Sequence, residues 1–465
     1  MNVLLLRPNP GNERFGLGPF FRVEPLGLEY IAAALAGRGH ESAIFDLRLR
    51  PGLEQALRRT RPSIVGISCM HALEYDRVLE TARAVRNLSP GALVVVGGHA
   101  AAAFSGPLET DDVDAICVDD GEEVVPALKL KTSEGWIATA PLSERTGLDR
   151  IAMPARDLVE RDRSRYHCLL FKPVWLVETA RGCPFRCNFC SVWQLYGRSF
   201  RERSVGAVVE DLASVGDSVF IADDLFWNHP ARSLELAEAL KKRGVRKRWL
   251  LVQTRTDIVS RSPELLEAWR PLARDFDIFF GLEAASDDGL AHVVKDNNVA
   301  ASVEAAEISR SMAYGVTGNF LVDPDWREED FRQLWDFVAR HGFQRAGYTI
   351  LTPLPGTELH QRLAPALAGQ PWFKYDMHHV LWEPRLGAKR FFELYAETWR
   401  RSILNLGGEK KWSDWMRQVR PREIPYLTRV LLRTQRMMSA GAYLKEHRES
   451  WVSPAPVPGE TAPAS

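Results

Sequence analysis

Residues 93–96 (LVVV) run without a polar interruption into Gly97-Gly98, and similar short apolar runs recur through the first third of the chain. They fall at residues 3–6, 43–46, 64–68 and 115–118, with helical patterns between them at 26–37, 52–60 and 75–87. An alternating strand buries one face, whereas a continuous apolar strand needs cover on both. Residues 1–135 are therefore predicted to form a doubly wound, Rossmann-like α/β domain. Its ligand groups are expected at the carboxyl ends of the strands.

Residues 136–172 lose that rhythm, carry Pro141 and Pro154, and are predicted to be a linker. A second β/α series follows, with strands expected at 174–179, 218–222, 249–254, 277–283, 315–322 and 347–352. Six units are fewer than the eight of a closed barrel. Residues 173–365 are thus predicted to be a partial (β/α)6 barrel, and 366–450, rich in Trp and Arg, a C-terminal helical region. The Pro/Ala-rich stretch 451–465 is predicted to be a disordered tail.

Composition narrows the function classes. Sixty basic residues balance sixty acidic ones, which excludes the basic field that nucleic-acid binding needs. Six cysteines in 465 residues are too few for a secreted disulfide scaffold. The N-terminus, MNVLLLR, suits a first strand better than a signal peptide. Nowhere is there an apolar run of the ~18 residues that a membrane span requires. The expected location is cytoplasmic, with peripheral membrane contact left open.

The chemistry is concentrated in Cys183-Pro-Phe-Arg-Cys187-Asn-Phe189-Cys190, a CxxxCxxC run just past the first strand of the second series. Three thiolates on one short loop suit a soft metal. Iron–sulfur cubanes usually take four cysteines, so three would leave one iron open. A structural zinc completed by Cys168 or His167 is the alternative. Cys69 and Cys117 are expected to be small core residues.

This run, with an aromatic residue before its last cysteine, resembles the radical S-adenosylmethionine (SAM) superfamily. The resemblance implies that Cys183, Cys187 and Cys190 hold a [4Fe-4S] cluster, with Phe189 beside the bound SAM. Further segments match in order. Asp224, ending residues 220–224 (FIADD), stands where the family contacts the SAM amino group, although the family's Gly-Gly is missing. Arg255 matches a residue that contacts the SAM carboxylate. Glu283 and Ser286, in residues 281–286 (GLEAAS), resemble the ribose-binding end of the fourth strand, and residues 351–357 (LTPLPGT) resemble the loop after the sixth. Without a cluster nearby, Asp224 and Arg255 would more simply be an ion pair.

The first domain resembles the cobalamin-binding module of one large branch of that superfamily. Ser68, Gly97, Gly98 and His99 carry the match, with the acidic run Asp119-Asp120-Gly121-Glu122-Glu123. The Asp-x-His-x-x-Gly motif that supplies an axial histidine elsewhere is absent from residues 7–16 (RPNPGNERFG). The expectation is a cobalt without a protein imidazole, His99 being the alternative ligand.

Together the resemblances imply an enzyme, a cobalamin-dependent radical SAM methyltransferase acting on an unactivated carbon. SAM is cleaved reductively at the cluster, a substrate hydrogen is removed, and methylcobalamin gives the methyl group. No side chain is singled out as catalytic. Within the branch, residues 196–201 (YGRSFR) and 24–30 (EPLGLEY) look most like hopanoid C-3 methylases. A tetrapyrrole-modifying enzyme, either the Mg-protoporphyrin monomethyl ester oxidative cyclase or a bacteriochlorophyll side-chain methylase, is the alternative. Trp193, Tyr196, Phe226 and Trp227 follow motif residues and are expected to pack in the core, lining a cavity for a bulky apolar substrate being the alternative; beyond Arg198, Arg201 and Arg255 no cation follows these strands. The expected substrate is bulky and apolar, and the expected reductant is flavodoxin or ferredoxin. The basic run at 241–248 is expected to be solvated at a helix end.

Overall fold

The computed structural model describes residues 1–11, 15, 16, 18–122, 127–139, 147–343, 346–404, 421 and 424–452. Strand β1 (Asn2–Arg7) shows why the first sheet is covered on both faces. Leu4 and Leu6 enter one buried cluster, with Leu57 and Val78 from helices on that side. Val3 and Leu5 enter another, with Leu28 and Ala32. Around it lie β2 (Glu41–Asp46), β3 (Ile64–Ser68), β4 (Leu93–Gly97) and β5 (Ala115–Cys117), in the order β2-β1-β3-β4-β5 and all parallel. This is the flavodoxin-like winding, whose ligand crevice opens where the strand order reverses.

Two features of the first half were not predicted. The sheet continues through an antiparallel hairpin, β6 (Leu128–Thr132) and β7 (Gly135–Ala138). In addition, the described part of the stretch expected to be a linker is packed. Val159 and Tyr166 are buried with Val3 and Leu5, Asp162 pairs with Arg50, and Arg163 pairs with Glu24. The Arg163 guanidinium also lies 3.6 Å from the centroid of the Trp175 ring. Glu24 in turn accepts the Leu176 N–H at 2.5 Å, so a buried carboxylate connects the first domain to the second.

The second sheet has six parallel strands in sequence order: β8 (Trp175–Val177), β9 (Ser218–Ile221), β10 (Lys247–Thr254), β11 (Ala273–Glu283), β12 (Gly315–Val322) and β13 (Ala346–Ile350). It is the expected partial barrel. Val219, Ile221, Val252, Ile278 and Phe320 are fully buried against the surrounding helices, each contributing about 1.5–3 kcal/mol. Phe226 and Trp227 belong to this core, in contact with Trp269. They are therefore packing residues and not a substrate wall.

Helices Gly387–Leu404, Ile424–Met437 and Ala440–Ser450 form the C-terminal region. Tyr395 on the first donates to the Tyr348 carbonyl of β13 at 2.8 Å. Phe15, from the loop after β1, stacks on Tyr443 at 4.1 Å. Among the described residues no helix is long and apolar enough to cross a membrane. Most of the expected tail, residues 453–465, lies outside the described residues.

Candidate active site

The cysteine loop is built as a closed hairpin at the carboxyl end of β8. The segments Ala180–Gly182 and Phe200–Glu202 pair antiparallel at its base. Gly182 has φ +97°, and a Cβ there would stand 2.3 Å from the Ser199 carbonyl oxygen, so only glycine closes this base without strain. The rest is pinned from outside. The Asn188 N–H donates to the Val293 carbonyl at 3.2 Å, and the Leu359 N–H donates to the Asn188 carbonyl at 3.2 Å. The Trp193 indole N–H donates to the Cys187 carbonyl at 2.9 Å.

Cys183, Cys187 and Cys190 lie close enough to influence one another electrostatically. The backbone amides of Phe185 and Val192 act to lower the pKa of Cys183 and Cys190, against the effect of burial. Burial pushes all three thiols up, Cys190 to about 12. Buried thiols of this kind release their protons on binding metal. Among the described residues no three His, Cys, Asp or Glu side chains converge on a single ion. A cubane does not ask for that, because each thiolate takes a different iron. Three soft donors on one short loop suit a cluster. Cys168 does not belong to this set: it packs against Val174 and Trp249 at the amino end of the barrel, which removes the zinc alternative completed by that residue.

The side chains expected around SAM surround this loop. Asp224 accepts the Gly182 N–H at 3.0 Å, one residue before Cys183. Its residue surface is exposed, yet burial pushes the carboxyl up to about 6, the combination found on the wall of a cleft. Arg255 is buried, donates to Asp257 at 2.8 Å and stacks 3.6 Å from the Phe185 ring centroid; its carboxylate partner is therefore Asp257 and not Asp224. Glu283 sits at a β-bulge with φ +64° and pairs with Lys295 at 2.9 Å. Ser286 accepts the Gly289 N–H at 3.1 Å and caps the helix Asp287–His292. Phe189 is half-buried. Lys295, whose charge reaches Cys187, was not predicted, because nothing in its local sequence distinguishes it from a surface lysine.

The cobalamin-side residues gather at the carboxyl ends of β3 and β4. Ser68 is buried and pairs in register with Gly97. Gly98 has φ +113°, and a Cβ on it would lie 2.7 Å from the Cys69 carbonyl oxygen. Only glycine takes up this turn against the Cys69 backbone without strain. His99 opens the next helix and reaches across to the cysteine loop, its Nε2 lying 2.7 Å from the Ser191 hydroxyl. Two members of the acidic run are engaged by arginines of the cysteine hairpin. Asp120 and Glu122 pair with Arg181 at 2.9 and 2.6 Å, and Asp120 also pairs with Arg201. Glu123 lies outside the described residues.

Comparison with known proteins agrees with this geometry. Residues 19–129 match the B12 binding domain and residues 177–338 the radical SAM superfamily. The hopanoid C-3 methylase of Methylococcus capsulatus is 29% identical over 420 residues, covering 86% of this chain and 79% of that one. The anaerobic magnesium-protoporphyrin IX monomethyl ester cyclase of Cereibacter sphaeroides is 28% identical over 424 residues, covering 83% and 67%. In fold, the chain is similar to the cobalamin-dependent SAM radical enzyme OxsB (TM-score 0.67, 14% identity, 94% of this chain and 71% of that one). It is also similar to the radical SAM methyltransferase TsrM from Kitasatospora setae (TM-score 0.61, 17% identity, 79% and 78%). With a B12 binding domain followed by a radical SAM domain, the chain is a cobalamin-dependent radical SAM enzyme whose cofactors are cobalamin, SAM and a [4Fe-4S] cluster.

Proposed function

We propose that this enzyme is a methyltransferase that acts on an unactivated carbon of a bulky, apolar polycyclic substrate, with a hopanoid first. The observation that carries this reading is the engagement of the arginines beyond the barrel strands. Arg198 donates to the Pro184 carbonyl at 3.1 Å, Arg201 pairs with Asp120, and Arg255 pairs with Asp257. Anchoring a carboxylate or phosphate on one of them would break a contact already made. An apolar substrate asks for no such exchange. The similarity to a hopanoid C-3 methylase over 86% of the chain favours the same class.

When bound, the cluster with SAM supplies hydrogen abstraction and the cobalamin supplies the methyl group. Cys183, Cys187 and Cys190 hold the cluster. Asp224, Arg255, Glu283, Ser286 and Phe189 surround SAM, and Ser68, Gly97 and Gly98 cradle the cobalamin. Half-buried Trp193 and Tyr196, on the helix after the cysteines, stand at the substrate end and limit its access to water. A flavodoxin or ferredoxin delivers the electron, and the protein works in the cytoplasm against the membrane surface where such a substrate resides.

The second reading is a tetrapyrrole substrate, favoured by the similarity to the cyclase. Expression in a hopanoid-producing host lacking its own methylase distinguishes the two. Methylhopanoids that vanish with Cys190→Ala support the first reading. Unchanged hopanoids, with a new tetrapyrrole mass in a pigment-making host, favour the second.

A further inference from the structure

The cysteine loop is held by a chain of contacts that starts at residues with no role in the site described above. Asn188 lies between Cys187 and Cys190 and is buried. Its hydrogen bonds reach residues remote in sequence. Its N–H donates to the Val293 carbonyl at 3.2 Å, and its side-chain amide donates to the His292 carbonyl at 3.0 Å. These two carbonyls close the helix Asp287–His292, whose last turn has no partners of its own. The Asn188 carbonyl in turn accepts the Leu359 N–H at 3.2 Å, in the first turn of the helix Glu358–Leu367, where N–H groups are likewise left over. One residue of the loop thus ties together the segments that follow β11 and β13.

The helix Asp287–His292 is anchored at the same end by its last side chain. His292 Nε2 lies 3.1 Å from Asp323 Oδ2. Asp323, the residue after β12, is buried, and its other oxygen accepts the Asp325 N–H at 2.8 Å. The His292 side chain is 57% exposed, and an ion pair at such a surface adds little stability. Its effect is geometric. It fixes the end of the helix whose carbonyls hold the backbone between two of the three metal-binding cysteines. Groups that orient metal ligands from behind matter to a metal site nearly as much as the ligands do, typically 10–100-fold in affinity or activity.

We propose that Asp323, His292 and Asn188 act in series as positioning residues that set the Cys187–Cys190 segment, and through it the properties of the cluster held there. The test uses the full chain, reconstituted anaerobically with iron and sulfide, reduced, and studied without SAM. Iron content comes first: a parent chain without iron would sink the assignment of the cluster to this loop, on which the proposal rests. With about four irons per chain, Asn188→Leu should keep its iron. It should alter the g values of the reduced cluster in electron paramagnetic resonance, shift the midpoint potential and release iron to a chelator about tenfold faster. His292→Ala should do the same to a smaller extent. His292→Gln, which can still donate to Asp323, should return the parent spectrum. Because the residues act in series, Asn188→Leu combined with His292→Ala should go no further than Asn188→Leu alone. Should Asn188→Leu fail to hold iron, His292→Ala against His292→Gln decides in its place. Three results would overturn the proposal: a parent-like spectrum and potential in Asn188→Leu at full iron, a His292→Ala spectrum equal to that of the parent, or effects that simply add in the double variant.

Discussion

His99 Nε2 lies 2.7 Å from the Ser191 hydroxyl and so joins the helix after Gly97-Gly98 to the residue that follows Cys190. Burial holds the imidazole near 4, hence neutral at neutral pH. The contact links the cobalamin side of the site to the cluster side. Ser191→Ala should keep both iron and cobalamin. Because misplacing reacting groups is costly, methyl transfer should fall by up to about 10²-fold relative to SAM cleavage. The measurement is 5′-deoxyadenosine formed per methylated product, and an unchanged ratio would reduce the contact to a structural one.

Arg181 carries a heavier load. Its side chain is buried and meets Asp120, Glu122 and Glu178 within 2.9 Å. Removing one partner from a buried charge cluster costs about 3–5 kcal/mol, because the remaining charges stay desolvated. Arg181→Met should show a loss of that size in denaturant unfolding, and Arg181→Lys a smaller one. A loss below about 1 kcal/mol would mean that water screens the cluster.

Gly98→Ala separates the two cofactor sites. The new methyl would meet the Cys69 carbonyl at a strained φ, on the cobalamin side only. The variant should retain iron and cleave SAM while losing cobalamin on desalting. Retention of cobalamin at the parent level would show that the cradle yields to a Cβ.

How much of this was legible follows from the physics of each element. Strands such as β1 and β3 were placed from sequence because a strand buried on both faces carries a continuous apolar run. The hairpin β6–β7 was missed because its edge strand, GWIA, is largely exposed and carries no burial pattern. The three cysteines were legible because a short loop encodes their spacing. Arg181 with Glu122, and His99 with Ser191, are 59 and 92 residues apart, so no local pattern records them. Asp120 and Glu122 were located from sequence without a partner, since an acidic run beside a ligand crevice does not record which distant arginine it meets. Phe226 and Trp227 take the core reading and not the cavity alternative, because the residues after this strand end turn back into the core.

Glu29 gives the fold a pH dependence of its own. It is fully buried, and burial first, then the neighbouring Glu24, raises its pKa from 4.5 to about 9. The unfolded chain releases this proton near 4.5 and the folded chain keeps it, so the folded state binds more protons in between. The contribution is complete below pH 4.5 and declines as pH rises toward about 9, by at most about 1.4 kcal/mol per pH unit. Glu29→Gln should flatten the fall of Tm over that window. Parallel Tm profiles for the two proteins would contradict the assignment.

The cysteines give the most direct test of the site. Cys183, Cys187 and Cys190 share one loop, whereas Cys168 is buried against Val174 and Trp249 at the far end of the barrel. Anaerobically reconstituted protein should hold about four irons per chain. Replacing any one loop cysteine with Ala removes one of three protein ligands, and iron content and SAM cleavage should both be lost. Cys168→Ala removes only a small buried group. It should lower stability by about 1 kcal/mol and leave the iron count unchanged. Full iron in Cys187→Ala, or its loss in Cys168→Ala, would move the metal centre away from this loop.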